Sequence, residues 1–316
     1  MKQKRNHIIQ IICAGILTVS LGGLGVFYAR LARENASYQA LSKQLNKQAA
    51  KAGINTDINT NIDTDIDTHI NADINTEYTS TCSNASLTIE KSNLSFSNPS
   101  EEEKALQNKY SGFISLNPDF IGWLHIDGTK IDYPVMMKPE DPDYYLHRDF
   151  SGKDSKSGTP YIGNGCTPDS DNVIIYGHNM KNVTMFADLL KYADEKFYRE
   201  HPAIQLDLVH KTSSNSQPII TSETYQIIAV FREQIHYQDE VNVFRYYNYC
   251  GELSPRSYND YIQKIKSISL YDTGHSASYG QQLITLSTCS YHVDNGRFVV
   301  VAVQTPAKDL LYATNR

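Results

Sequence analysis

Three residues have types and spacings that could do chemistry together. Cys289 closes the run Leu283-Ile284-Thr285-Leu286-Ser287-Thr288-Cys289, a strand pattern that ends in small hydroxyl side chains. Arg297 follows across Asn295-Gly296, a dipeptide that favours a tight hairpin turn. With residues 290–296 as the turn, Cys289 and Arg297 fall near one another on paired strands. A thiol is a useful nucleophile only as thiolate, and a neighbouring cation lowers its pKa. Arginine stays charged and presents a rigid fork of donors, so it can also steady an oxyanion. The competing reading of Cys289 is a small buried hydrophobe. The arginine across the turn weighs against that.

Such a nucleophile needs a proton carrier, and the chain has 10 histidines. His178 stands apart because it ends Asn172-Val173-Ile174-Ile175-Tyr176-Gly177-His178-Asn179-Met180, an apolar strand closed by Gly-His. An imidazole at a strand end, after a glycine that allows close approach, suits acid–base work. His292 is nearer to Cys289 in sequence but lies inside the proposed turn, where it would face solvent. Metal is not expected: no Cys–x–x–Cys pair and no zinc-type Cys/His spacing is present. The chain has 5 cysteines, an odd number that leaves one without a partner within the chain. Cys13 lies in an apolar run and Cys82 in a polar segment, while Cys166 and Cys250 fall in loops, free or paired.

The elements that must position these residues lie in 99–316, long enough for one sizeable core. Ser100 before Glu101-Glu102-Glu103 predicts a capped helix start. Short β segments follow at 121–126, 131–135, 173–176, 204–209, 225–231, 282–286 and 298–303, separated by Gly, Pro and Asp. Helical patches interrupt at 184–192 and 257–267, the second with Tyr258, Tyr261, Ile262 and Ile265 on one side. Many short strands at close spacing predict a mostly β barrel or sandwich. The 22 tyrosines fit half-buried β surfaces.

The N-terminal part reads differently. Residues 1–7 hold Lys2, Lys4 and Arg5, and residues 8–28 are uncharged. Twenty-one helical residues match the hydrocarbon thickness of a bilayer, about 30 Å. Tyr28-Ala29-Arg30-Leu31-Ala32 is a poor cleavage site, so a signal anchor is expected, with the N-terminus cytoplasmic and the rest outside the cell. Residues 29–98 read as an extracellular spacer with a short helix over 34–50, then INTD-like repeats with Ile54, Ile58, Ile62, Ile66, Ile70 and Ile74 in step. One Ile per turn among Asn, Asp and Thr cannot offset chain ordering, so a disordered spacer is expected. Asp63-x-Asp65-x-Asp67 imitates a calcium loop, but Thr68 and Ile74 replace its required Gly and Glu. The formal net charge is −6, from 29 Lys+Arg against 35 Asp+Glu, which argues against a nucleic-acid partner.

Thr285-Leu286-Ser287-Thr288-Cys289, Arg297 before a Val-rich strand, and Tyr176-Gly177-His178-Asn179-Met180 together resemble the sortases, membrane-anchored cysteine transpeptidases of Gram-positive bacteria. Gly122-Trp123-Leu124-His125-Ile126, Ile131-Asp132-Tyr133-Pro134-Val135 and Met185-Phe186-Ala187-Asp188-Leu189 resemble class B in particular, as do the helices before the barrel and before the Cys strand. The likeness extends over most of residues 100–305. It implies a closed eight-stranded barrel and no cofactor. It also implies a thioester on Cys289, acid–base work by His178, carbonyl stabilisation by Arg297, and a groove lined by Thr285, Ser287 and Thr288. The implied partners are secreted proteins with a C-terminal sorting motif and an amine of peptidoglycan or a pilin lysine. Ser290 departs from the acid that some class B enzymes carry there. Two other functions fit the same features: a cysteine peptidase with water as acceptor, and a tethered binding module in which Cys289 is structural.

Overall fold

The computed structural model describes residues 2–54, 100–210 and 217–305, with side chains from residue 22 onward. Eight strands close into a barrel in the order β1-β2-β3-β4-β7-β8-β6-β5. They are β1 (Phe120–His125), β2 (Asp132–Met136), β3 (Tyr161–Ile162), β4 (Asn172–Tyr176), β5 (Ala203–His210), β6 (Ile219–Gln234), β7 (Leu283–Cys289) and β8 (Gly296–Gln304). Closure removes every unpaired sheet edge. Most contacts are antiparallel, while β2–β3 and β4–β7 run parallel. The parallel β4–β7 pair brings the ends of two strands that are distant in sequence to the same rim.

Strand alternation sorts the side chains of β7 and β8 onto two faces. Ile284, Leu286, Phe298, Val300 and Ala302 point into the barrel core. Leu283, Val299, Val301 and Val303 point outward and are covered by Tyr258, Tyr261, Ile262 and Ile265 of α4 (Pro255–Ile268). Ser254 caps α4 by accepting from the Ser257 N–H, and Pro255 opens it at a position where no helical N–H is lost. Ser100 caps α2 (Glu101–Leu116) in a capping box with Glu103, as Ser100 and the three following acids predict. The patch predicted at 184–192 forms a 3-10 helix over Phe186–Ala193, followed by α3 (Glu195–Glu200).

The first helix, α1, spans Lys2–Lys51. Its later part is docked on the barrel: Leu31, Tyr38, Leu45 and Ala49 are buried. The Tyr38 hydroxyl donates to the Gly158 carbonyl at 2.7 Å, and Glu34 accepts from the hydroxyls of Ser155 and Ser157 at 3.1 and 2.9 Å. This changes the reading of 29–98 as a single spacer leading to a domain that starts at 99. Residues 31–54 belong to the folded body, with Ile54 packed against the cluster that holds Leu45, Leu106 and Tyr110. The INTD-like repeats therefore lie between two elements docked on the same barrel, α1 and α2, and they fall outside the described residues beyond Ile54. Among the described residues no helix is long and apolar enough to cross a membrane. The side chains of residues 8–21, most of the expected span, lie outside those described.

Candidate active site

The site sits where β4, β7 and β8 end together. Cys289 is the last residue of β7 and pairs directly with Arg297 of β8. The turn between them closes through the Ser290 N–H to the Gly296 carbonyl at 2.9 Å. Asn295 takes a left-handed φ of 55°, a conformation Asn tolerates better than most residues. A Cβ on Gly296 would collide with the Ser290 carbonyl and the His292 ring, so glycine is required by close approach. His292 lies in this turn and bonds the Ser290 hydroxyl at 3.0 Å through Nδ1.

His178 reaches the same rim by another route. Along the parallel β4–β7 ladder Tyr176 pairs with Ser287, and the Gly177 N–H continues it to the Ser287 carbonyl at 3.2 Å. His178 and Cys289 each stand two residues past that pair, which sets them at the same level on adjoining strands. A Cβ on Gly177 would stand 2.7 Å from the Phe186 ring, so the glycine does permit a close approach. The His178 carbonyl accepts from the Phe186 N–H at 2.9 Å, which holds its backbone.

The His178 ring lies with Nε2 2.8 Å from the Leu146 carbonyl and is stacked on His147 with centroids 5.7 Å apart. A carbonyl can only accept, so Nε2 carries a proton and Nδ1 is left for acid–base work. Burial lowers the His178 pKa from its ordinary value; the Leu146 carbonyl opposes this, and the charges of His147 and Arg297 add to the lowering. The resting imidazole is therefore biased towards neutral.

The Arg297 guanidinium folds back over its own turn, with Nη1 donating to the carbonyls of Asn295 and Gly296 at 3.3 and 3.1 Å. Nε and Nη2 stay available, among the described residues, for a carbonyl oxygen bound beside Cys289. Two residues not singled out in the sequence for this role tie the strands together here. The Asn179 amide donates to the Cys289 carbonyl at 3.1 Å, and Thr288 donates through Oγ1 to the Gly177 carbonyl at 2.7 Å.

The three hydroxyl residues of β7 do not form a groove wall. Thr285 and Ser287 are 0% and 1% exposed. Thr285 bonds Asn172 Oδ1 and the Tyr261 hydroxyl, and Ser287 bonds the Tyr246 hydroxyl at 2.8 Å. Thr288 is also buried, committed to Gly177. Thr285 and Ser287 share a face with Cys289, but Tyr261 of α4 and Tyr246 of the 3-10 turn Tyr246–Asn248 cover them before the strand reaches the rim. Among the described residues no group of three or more His, Cys, Asp or Glu could hold a metal ion.

A closed barrel with a thiol, a guanidinium and an imidazole gathered at one rim has the form of a cysteine-dependent acyl-transfer site. No family model matches the sequence. Sortase B of Listeria monocytogenes is 34% identical over 189 residues, covering 58% of this chain and 69% of the relative. Sortase B of Staphylococcus aureus is 24% identical over 207 residues, covering 64% and 77%. Among solved structures, a cysteine-to-serine mutant form of Clostridium perfringens sortase B matches at 27% identity with a TM-score of 0.52, covering 65% of this chain and 90% of that one. The S. aureus sortase B–substrate complex matches at a TM-score of 0.59 and 17% identity, covering 88% and 99%, a likeness of fold alone. The chain belongs to the sortase B family of cysteine transpeptidases.

Proposed function

We propose that the protein cleaves a C-terminal sorting motif of secreted proteins after Thr and joins the Thr carbonyl to an amine of the cell wall or a pilin lysine. The observation that carries this is the direct pairing of Cys289 with Arg297, with His178 level with them on the adjoining strand. Nδ1 of His178 takes the Cys289 thiol proton, and the resulting thiolate adds to the Thr carbonyl while Arg297 stabilises the developing oxyanion. His178 gives a proton to the departing amine as the C–N bond breaks, leaving a thioester on Cys289. The incoming amine adds to the thioester and passes its proton to His178, the C–S bond breaks, and an amide replaces it. Sortase B of S. aureus and of Bacillus anthracis have been solved with a substrate and with the ligand AAEK1, which supports a peptide-like substrate for this family member.

The same reading sets the protein in the cell membrane, single-pass, with the basic end 1–7 cytoplasmic and the barrel outside. The uncharged run 8–28 supports this assignment.

The test is to mix the full chain with peptides ending in Asn-Pro-x-Thr-x or Pro-x-Thr-Gly forms, with and without an amine, and follow products by mass spectrometry. A thioester on Cys289 and an amine-joined product are expected. Cleavage by water alone, unchanged by any amine, would identify a peptidase. No adduct with any peptide would leave a tethered binding module.

A further inference from the structure

We propose that Cys166 and Cys250 form a disulfide that clips the segment leading into α4 to the loop leading into β4. Cys166 is buried in the loop between β3 and β4, and Cys250 is half-buried in the segment between β6 and α4. The two backbones are already paired beside the thiols: the Asn172 N–H donates to the Gly251 carbonyl at 3.4 Å, and the Gly251 N–H donates to the Asn172 carbonyl at 3.3 Å. The Asn172 amide also donates to the Tyr249 carbonyl at 2.6 Å. Each sulfur is anchored on the β3–β4 loop or the strand it leads into. Cys250 Sγ lies 3.4 Å from the Asn164 carbonyl, and Cys166 Sγ lies 3.5 Å from the Asn172 carbonyl.

Two glycines make room for the approach. A Cβ on Gly165 would stand 3.1 Å from Cys250 Sγ, and one on Gly251 would stand 2.7 Å from the Gly165 carbonyl. Both glycines take positive φ, 82° and 76°. Cys250 Sγ thus lies against the residue that precedes Cys166. The neighbouring Cys166 brings the Cys250 thiol down to about 6, while Cys250 and burial push Cys166 up. Cys250, the more accessible sulfur, is therefore the attacking thiolate.

The oxidant is a low-molecular-weight disulfide. The Cys250 thiolate displaces one thiolate from it and forms a mixed disulfide, and the Cys166 proton passes to the departing sulfur. The Cys166 thiolate then displaces the second thiol. Two protein thiols are oxidised and one external disulfide is reduced to two thiols. The clip would fix a segment that bears on the site, because Tyr246 in the same segment bonds Ser287, two residues before Cys289. Nothing in this assignment depends on the transpeptidase reaction.

The experiment uses the full chain in detergent, incubated with oxidised glutathione, denatured with a maleimide, digested and mapped by mass spectrometry. A Cys166–Cys250 linked peptide is expected, with a rise in melting temperature of about 5 °C or more that dithiothreitol reverses. Neither Cys166→Ser nor Cys250→Ser should show the oxidant-dependent rise. Recovery of both cysteines as maleimide adducts at every glutathione ratio would overturn the proposal. So would pairing of Cys250 with Cys82, or a glutathione adduct on Cys250 that does not resolve. The readout needs no substrate, so a failure here and a failure to turn over sorting peptides are separate results.

Discussion

The Asn179 side-chain amide donates to the Cys289 carbonyl at 3.1 Å, so the residue that follows the imidazole holds the backbone of the residue that carries the thiol. The β4 and β7 ends are thus joined at the rim, beyond the last pair of their ladder. Asn179→Ala should leave the fold intact and lower kcat for peptide cleavage more than it raises KM, because the distance between His178 and Cys289 is no longer fixed. Steady-state kinetics of the variant with a cleaved sorting peptide would decide this; an unchanged kcat would rule out positioning.

Cys289→Ala should abolish the acyl-enzyme while the melting temperature stays within a degree or two, since the side chain ends a strand at a half-buried rim. Intact mass after peptide incubation reads the first, calorimetry the second.

Arg297→Ala should lower kcat/KM by roughly a hundredfold or more through loss of the oxyanion donor. It should also raise the His178 pKa, because the arginine charge is one of the factors that hold it down after burial and His147. Proton NMR of the His178 ring gives the shift directly. The sign for stability follows from the lowered folded value: the neutral ring is favoured in the folded state, so this contribution is fully present above the unfolded value of 6.5 and is lost as pH falls from there through the lower folded value. His178→Gln should remove that part of the acid sensitivity, which pH-dependent denaturant melts would show.

Tyr246→Phe should destabilise the fold by about 1–3 kcal/mol, since it strands the buried Ser287 hydroxyl. Adding Ser287→Ala should recover much of that loss. The double variant should keep its activity on sorting peptides; a large rise in KM would restore Ser287 to the substrate groove.

Gly296→Ala should cost stability and activity together, by about 1–3 kcal/mol for the first, because the new methyl meets the Ser290 carbonyl in the turn that sets the Cys289–Arg297 pair. Chemical melts and acyl-enzyme formation would be measured on the same preparation.

The placement of Cys289, Arg297 and His178 at one rim was legible because its signals are local. Asn295-Gly296 marks where β8 begins and so helps set Arg297 opposite Cys289, although the turn is the longer segment 290–295 and only Asn295 of the pair takes a positive φ. An apolar run ending in Gly-His marks a strand end. The capping residues Ser100 and Ser254 mark helix starts in the same way. The fate of Thr285 and Ser287 was not local. Period-two alternation puts them on one face with Cys289, but what covers that face is Tyr261 and Tyr246, far away in sequence. The docking of α1 was hidden for a related reason. Leu31, Tyr38 and Leu45 recur at a spacing of seven, a narrow stripe among polar residues that only the barrel surface completes. The two-residue β3 has too little pattern to announce itself.

The docking of α1 decides what the acidic repeats can do. Leu31 is already buried, and Arg30 donates to the Asp154 carbonyl at 3.1 Å, close behind the uncharged run. Were that run in a bilayer, α1 would act as a strut and not a leash. The catalytic rim would sit at a set height and tilt above the lipid, and its search volume would be that of a mounted tool, not a tethered one. Changing the number of repeats would alter the girth of an excursion whose two ends are both made fast, and would leave the reach of Cys289 where it was.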